Sequence, residues 1–193
     1  SFNQVQVHHA IEMGFAQGVR ALMRQDPDII MVGEVRDLET AEMAIQAALT
    51  GHLVLSTLHT NDSPTALTRM LDLGVPPYLM TATVLGVMAQ RLVRTLCPHC
   101  KQPGGMRAED EELWSQLVAP WKSSKPAQIH HPVGCLECRM TGYLGRIGIY
   151  EIMLLSPELK KLVTERTDVA AVRDLAYREG MRELNQVGRE MGT

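Results

Sequence analysis

The chain has 193 residues, enough for one full domain or for a domain with a small module. Hydrophobic residues make up 45% and charged residues 21%, the balance of a soluble globular protein and not of a disordered one. The net charge of −3 lacks the basic excess of a general nucleic-acid binder. Aromatic residues are only 4%, so the core must rest on Ala, Val, Leu, Ile and the 12 methionines.

Ser1–Val5 offers no basic stretch, apolar run or cleavage site of a signal peptide, and the chain opens without a methionine, as a piece of a longer protein would. Ile11 to Gln25 reads as an amphipathic helix, with Ile11, Phe15, Val19, Leu22 and Met23 on one face. Asp26-Pro27-Asp28 stops it, and Ile29–Val32 follows as a short apolar strand, expected to be buried on both faces. Gly33 to Asp37 is a polar loop, and Leu38 to Leu49 is an Ala-rich helix closed by Gly51. Leu53 to Leu58 is the second buried strand. Asn61-Asp62-Ser63-Pro64 starts a helix to about Leu73.

Tyr78 to Leu96 reads as one long helix. Its apolar part, Leu79–Ala89, is well short of the roughly 20 residues that span a bilayer, so it is expected to be core and any membrane contact to run through a protein partner. Leu144 to Leu155 alternates as one or two strands. Helices are expected from Ser156-Pro157, from Asp168 and over Met181 to Met191. Strands alternating with helices predict an α/β layer on a parallel sheet. Two clear strands are too few for such a sheet, which is expected to continue in sequence outside this chain.

Composition changes at residue 97. Cys97-Pro-His-Cys100 and Cys135-Leu-Glu-Cys138 are two C-x-x-C pairs separated by residues 101–134. Two such pairs can close a tetrahedral zinc site with no open position, hence a structural one. The gap exceeds that of a common zinc ribbon, so the intervening segment needs a loop or hairpin of its own. Disulfides, a redox dithiol and an iron–sulfur cluster are the alternatives. Secretion signals are lacking, which disfavours the first, and two pairs exceed what the second needs. His99, His130 and His131 read as turn and loop residues.

Ligands of open α/β sheets sit at the carboxyl ends of the strands. Those ends carry Gly33-Glu34-Val35-Arg36-Asp37 and His59-Thr60-Asn61-Asp62. A carboxylate directly after an apolar strand, as in a Walker B segment, can orient water for attack on a γ-phosphate, and His59 could hydrogen-bond that phosphate. An ordinary ion-pair network of Glu34 with Arg36 or Asp37 fits the same pattern.

Longer strings add to this. Arg24-Gln-Asp-Pro-Asp-Ile-Ile-Met-Val-Gly-Glu-Val-Arg-Asp37 with Glu39-Thr-Ala-Glu42 resembles the Walker B region of the secretion ATPases, the motors of type II secretion and type IV pilus assembly (the GspE/PilB type). Thr50-Gly-His-Leu-Val-Leu-Ser-Thr-Leu-His-Thr-Asn-Asp62 resembles their His box. Ala89 to Cys100, Gly134 to Cys138 and Gly142 to Glu151 resemble their tetracysteine module and the segment after it.

The resemblance implies the C-terminal part of a RecA-like P-loop ATPase core, residues 1–95. It implies an inserted four-cysteine zinc module over 96–140 and a mixed strand and helical C-terminal region over 141–193. It makes Glu34 the catalytic carboxylate, His59 the His-box residue near the γ-phosphate, and Cys97, Cys100, Cys135 and Cys138 the Zn²⁺ ligands. Arg20 and Arg24, on the helix leading into Walker B, would hold charge near the nucleotide or a subunit boundary, or would simply be surface arginines at a helix end. The family's Walker B Asp is Gly33 here, as elsewhere in the family, so Mg²⁺ must be held by other groups.

No Gly-Lys pair occurs, so the P-loop that would cradle ATP is expected outside this chain. The full-length protein is expected to be a cytoplasmic homohexameric ATPase using ATP and Mg²⁺, peripheral to the inner membrane through a platform protein, with no membrane span and no nucleic-acid partner. The chain alone is expected to be inactive. A non-catalytic, zinc-stabilised interaction module is the alternative. A nucleic-acid-binding zinc ribbon is disfavoured by Glu109-Asp-Glu-Glu112 in the metal loop.

Overall fold

Helix α1 (Phe15–Leu22) begins at Gly14, whose N–H is taken by the Gln17 side chain at 3.1 Å, and tightens into a 3-10 turn over Met23–Gln25. Asp26, in the left-handed region at φ 51°, turns the chain into strand β1 (Ile29–Val32). These coordinates are a computed structural model; it describes residue 4 and residues 14–118, 125–126, 128–184 and 186–187. Ile11, expected on the apolar face of α1, lies outside them.

Strand β1 pairs in parallel with β2 (Leu53–Ser56), from Ile29 opposite Leu53 to Val32 opposite Ser56. Helix α2 (Leu38–Leu49) makes the crossover; Asp37 caps it by accepting the Thr40 N–H at 2.8 Å, and Gly51, at φ +100°, lets the chain turn back. Val19, Ile30, Val32 and Ala47 form the core, with Phe15, Leu22, Met23, Met43 and Val54 against it.

The expectation of strands buried on both faces is corrected here. Ile30 and Val32 are each 2% exposed, but Ile29 is 58% and Met31 73% exposed, and Leu53 and Leu55 are also exposed. Helices α1 and α2 cover one face of the pair, and among the described residues no element covers the other. The apolar run therefore marks a strand with two apolar faces, only one of which is covered within this chain.

Asp62 caps α3 (Ser63–Asp72), accepting from Thr65 N–H at 2.9 Å, with Pro64 in the first turn. Then comes the second correction. The expected helix over Tyr78–Leu96 is a short α4 (Pro77–Thr83) followed by an 11-residue strand, β3 (Gly86–Leu96). Its partner is β6 (Tyr143–Leu154). Leu155 N–H bonds Leu85 O at one end of the ribbon and Cys97 N–H bonds Gly142 O at the other, each at 2.9 Å, so the strands run antiparallel. Short apolar runs are ambiguous between helix and strand; here a distant partner decides. A Cβ at Gly86 would lie 3.0 Å from Met153 O, so the close approach uses the glycine.

The chain forms two units: Ser1–Val87 with Met153–Gly180, and Met88–Ile152 with Met181–Thr193. In the first, α6 (Pro157–Leu162), capped by Ser156, and α3 both pack on α7 (Val169–Arg178), capped by Asp168. Leu67, Leu159, Val172 and Ala176 are buried there. In the second, β4 (Gln102–Gly104) pairs antiparallel with β5 (Ile129–His131), and α5 (Ala108–Val118) lies in sequence between them. His130 and His131, read from sequence as loop residues, are thus in a strand, fixed by pairing with Pro103 and Gln102. The Arg94 guanidinium lies 4.1 Å from the centroid of the Tyr143 ring. Of the helix expected over Met181–Met191, Leu184, Gln186 and Val187 are helical; residues 185 and 188–191 lie outside the described residues. No helix among the described residues is long and apolar enough to cross a membrane.

The asymmetry of β1 has a direct test. Ile30→Ala is expected to cost about 2–5 kcal/mol in urea unfolding of this chain, as buried large-to-small changes do. The neighbouring Ile29→Ala should stay within about 0.5 kcal/mol. Equal costs would contradict the one-sided burial.

Candidate functional site

The parallel register offsets β2 from β1 by 24 residues, from Ile29 opposite Leu53 onward. Two hydrogen bonds carry that pairing past the strand ends: Thr57 Oγ1 donates to Gly33 O at 2.7 Å and Val35 N–H to Thr57 O at 3.0 Å. They bracket Glu34 and bring it beside the loop after β2. Glu34 Oε2 lies 2.6 Å from Arg36 Nε and 3.3 Å from His59 Nε2. With its proton on Nε2, His59 donates to the carboxylate. The Arg36 guanidinium, aided by the His59 ring, holds the Glu34 carboxyl below its ordinary range against the opposing push of burial. The Glu34 side chain is 21% exposed and that of His59 83%, so the pair sits at the surface with its imidazole facing outward. His59, Thr60 and Asn61 line a shallow open hollow.

The strand ends thus bring Glu34 and His59 together. The ion pair weighed for Glu34 forms with Arg36, whereas Asp37 is used as the cap of α2. Arg20 and Arg24 are exposed. Arg20 Nη2 lies 3.6 Å from Met43 Sδ, and neither arginine bonds Glu34 or His59.

The second constellation is the four cysteines. Their sulfurs all lie within 4.8 Å of one another, although the two pairs are far apart in sequence. Cys97 Sγ is 3.8 Å from Cys135 Sγ, Cys100 Sγ is 3.9 Å from Cys138 Sγ, and Cys135 Sγ is 3.8 Å from Cys138 Sγ. Tetrahedral coordination at about 2.3 Å from metal to sulfur separates the sulfurs by about 3.8 Å, so the donor set fits one such ion.

The backbone completes the site. Cys138 Sγ accepts N–H bonds from Cys135 and Gly142, both at 3.2 Å, and Cys100 Sγ accepts one from Gly134 at 3.3 Å. Gly134 and Gly142 have φ of +115° and +77°, and a Cβ on Gly142 would meet Pro132 Cβ at 2.6 Å. Burial pushes the Cys138 thiol up, but these N–H donors and its sulfur neighbours outweigh it and bring it down to about 6. Burial raises Cys100 to about 11, with the neighbouring sulfurs adding to the rise. Four sulfurs held this close, with backbone N–H groups turned toward two of them, form a donor set that suits a cation. His99 is exposed and outside the cluster, and His131 Nε2 is 3.0 Å from Gly105 O.

One interaction near the first site is invisible in the sequence. Arg173 Nη2 on α7 lies 2.8 Å from Asp62 Oδ2, across a separation of 111 residues. Asp62 reads as a helix cap and nothing near it points to an arginine so far along the chain.

The profile of the "Type II/IV secretion system protein" family matches residues 1–192. The chain belongs to this family. It is 59% identical over 188 residues to the type IV pilus assembly ATPase TfpB of Acinetobacter baylyi, covering 97% of this chain and 32% of that protein. It is 51% identical over 160 residues to type II secretion system protein E of Pseudomonas aeruginosa, covering 83% of this chain and 31% of that protein. The chain therefore spans about a third of the length of these relatives. Among solved structures it resembles the Legionella pneumophila ATPase DotB, with TM-score 0.60, 23% identity, and coverage of 92% of this chain and 39% of that one. It also resembles the pilus retraction motor PilT with bound ADP, with TM-score 0.53, 25% identity, and coverage of 90% and 42%. The fold is accordingly that of the RecA-like ATPases, α/β with a parallel sheet, here with helices on one face of the parallel pair and a four-cysteine cluster.

Element analysis of the purified chain is expected to find about one metal ion per cluster, with Cys100→Ser lowering the content. Four freely titrating thiols and no metal in freshly purified protein would contradict the fit.

Proposed function

We propose that this chain is the part of a hexameric secretion or pilus-assembly ATPase that carries the hydrolytic carboxylate, the His box and a structural zinc centre. The carrying observation is the meeting of Glu34 Oε2 and His59 Nε2 at 3.3 Å, on the ends of paired parallel strands, in a member of the secretion family. The supporting relatives are named as assembly ATPase and as secretion protein.

In this reading the γ-phosphate of ATP enters at the hollow of His59, Thr60 and Asn61. Glu34, a carboxylate at neutral pH that Arg36 stabilises further, orients a water molecule through Oε2. The water oxygen bonds to the γ-phosphorus as the bond to the bridging β,γ-oxygen breaks, giving ADP and phosphate. Glu34 Oε2 receives the proton that the water loses. His59 Nε2, held against the same oxygen, is placed to donate to the phosphoryl oxygens once it turns from the carboxylate. Arg20 and Arg24, exposed on α1 and the turn after it, are proposed to face nucleotide charge or a neighbouring subunit. The bound Mg²⁺ would neutralise phosphate charge; Gly33 offers it no side-chain ligand, and Glu34 is already paired with Arg36.

Zn²⁺ would be held by Cys97, Cys100, Cys135 and Cys138, closing the 38-residue separations between their partners. Its four thiolates leave no open position, so its contribution is rigidity. We further propose residues 1–95, 96–140 and 141–193 as the motor, metal and C-terminal segments. The assembled hexamer is proposed to be cytoplasmic, to act on an inner-membrane platform protein, and to have no nucleic-acid partner.

In the full-length ATPase, Glu34→Gln is expected to keep nucleotide binding and lower the hydrolysis rate by about 10²–10⁴-fold. Turnover near that of the unaltered protein would overturn the assignment. The chain by itself, with no Gly-Lys pair to cradle phosphate, is expected to hydrolyse no ATP above background in a phosphate-release assay. Robust turnover would contradict it.

A further inference from the structure

His59 is held by its loop and not by packing: its side chain is 83% exposed. The loop is anchored at its start by Thr57, bonded to Gly33 O at 2.7 Å. It is anchored at its end by Asp62, three residues beyond His59. Around Asp62 the bonds converge. Thr65 N–H donates to Oδ1 at 2.9 Å, and the hydroxyls of Thr60 and Thr65 donate to its carbonyl oxygen at 3.2 and 3.1 Å. The other carboxylate oxygen, Oδ2, takes the Arg173 guanidinium at 2.8 Å.

The cap needs only Oδ1, and an asparagine would supply it. The bond to Arg173 is additional and needs the charge. Both partners are partly shielded, the Arg173 side chain 34% and the Asp62 side chain 26% exposed, so the pair is screened less than an open surface pair. Arg173 is itself held firmly: its neighbour Val172 is 0% and Ala176 2% exposed, and α7 packs on α3 and α6. At the far end of α7, Glu179 accepts the Ser156 hydroxyl at 2.8 Å, fixing the helix to the start of α6. Burial pushes the Asp62 carboxyl up, but Thr65 and Arg173 together bring it below its ordinary range.

We propose that Arg173 is a positioning residue for the strand-end site: by gripping Asp62 Oδ2 it fixes the loop that presents His59 to Glu34, and it makes the placement of α7 felt at His59. The proposal rests on the hydrolytic reading of Glu34 and His59. A displacement of about 1 Å at a reacting group can cost a hundredfold in rate, so a grip three residues away is enough to matter.

The test uses the full-length ATPase and compares Arg173→Ala, Asp62→Asn, their double variant and Arg173→Lys, with Glu34→Gln alongside. Asp62→Asn keeps the cap and removes only the charge. Arg173→Ala and Asp62→Asn are each expected to lower kcat about ten- to a hundredfold with KM for ATP within about twofold. The double variant should be no worse than either single one, and Arg173→Lys should recover most of the rate. If Glu34→Gln is inactive while Arg173→Ala and Asp62→Asn turn over normally, the positioning role is overturned and the hydrolytic reading stands. If Glu34→Gln itself turns over normally, the hydrolytic reading falls and this proposal with it. Losses that multiply in the double variant, or that follow melting temperature with no rescue by lysine, would also overturn the role.

Discussion

The parallel pairing of β1 with β2 is the constraint on which the first unit's chemistry depends. Its 24-residue offset fixes which residues of the two loops face each other. A slip of one residue would turn Ile30 and Val32 outward and Ile29 and Met31 inward, because strand side chains alternate. The same slip would move Glu34 away from His59. The burial of Ile30 and Val32 beneath α1 and α2 therefore specifies the site as much as it stabilises the strand. The hydrogen bonds of Thr57 to Gly33 and of Val35 to Thr57 extend the register through the loop itself.

The second unit is ordered by different means. Between the two cysteine pairs its strand pairing is short: the β4–β5 pair has three residues on each side. Small elements of this kind gain little from burial, and a metal cross-link that closes a long loop would compensate. The sulfurs of Cys97 and Cys100 meet those of Cys135 and Cys138 across the excursion that contains α5. Gly134 and Gly142 adopt backbone angles that a side chain would strain, and the N–H groups of both point at sulfur. The sulfur spacing suits a cation of tetrahedral preference, and backbone N–H groups point at two of the four sulfurs.

Local chemistry was well marked in the sequence. Asp37, Asp62, Ser156 and Asp168 each stand where a helix begins, and each side chain accepts a backbone N–H there. The spacing of the cysteines pointed to one cluster, and the polar ends of the two strands pointed to Glu34 and His59 as candidate site residues. What escaped was decided at a distance. Leu85–Leu96 has the composition of a helix, yet its backbone pairs with a strand that begins at Tyr143. An apolar run such as Ile29–Val32 says that both faces suit burial, not which face this chain covers. Arg173 could not be linked to Asp62 because nothing in either segment records that α7 packs on α3.

In the proposed reaction Glu34 and His59 act as one unit on a single phosphoryl group. A double-mutant cycle on kcat in the full-length ATPase measures this directly, using Glu34→Gln, His59→Ala and the two combined. Residues that act together are grossly non-additive, so the combined variant is predicted to turn over about as fast as Glu34→Gln alone. Losses that multiply, with each residue costing the same whether or not the other is present, would show that they act independently and would contradict the account.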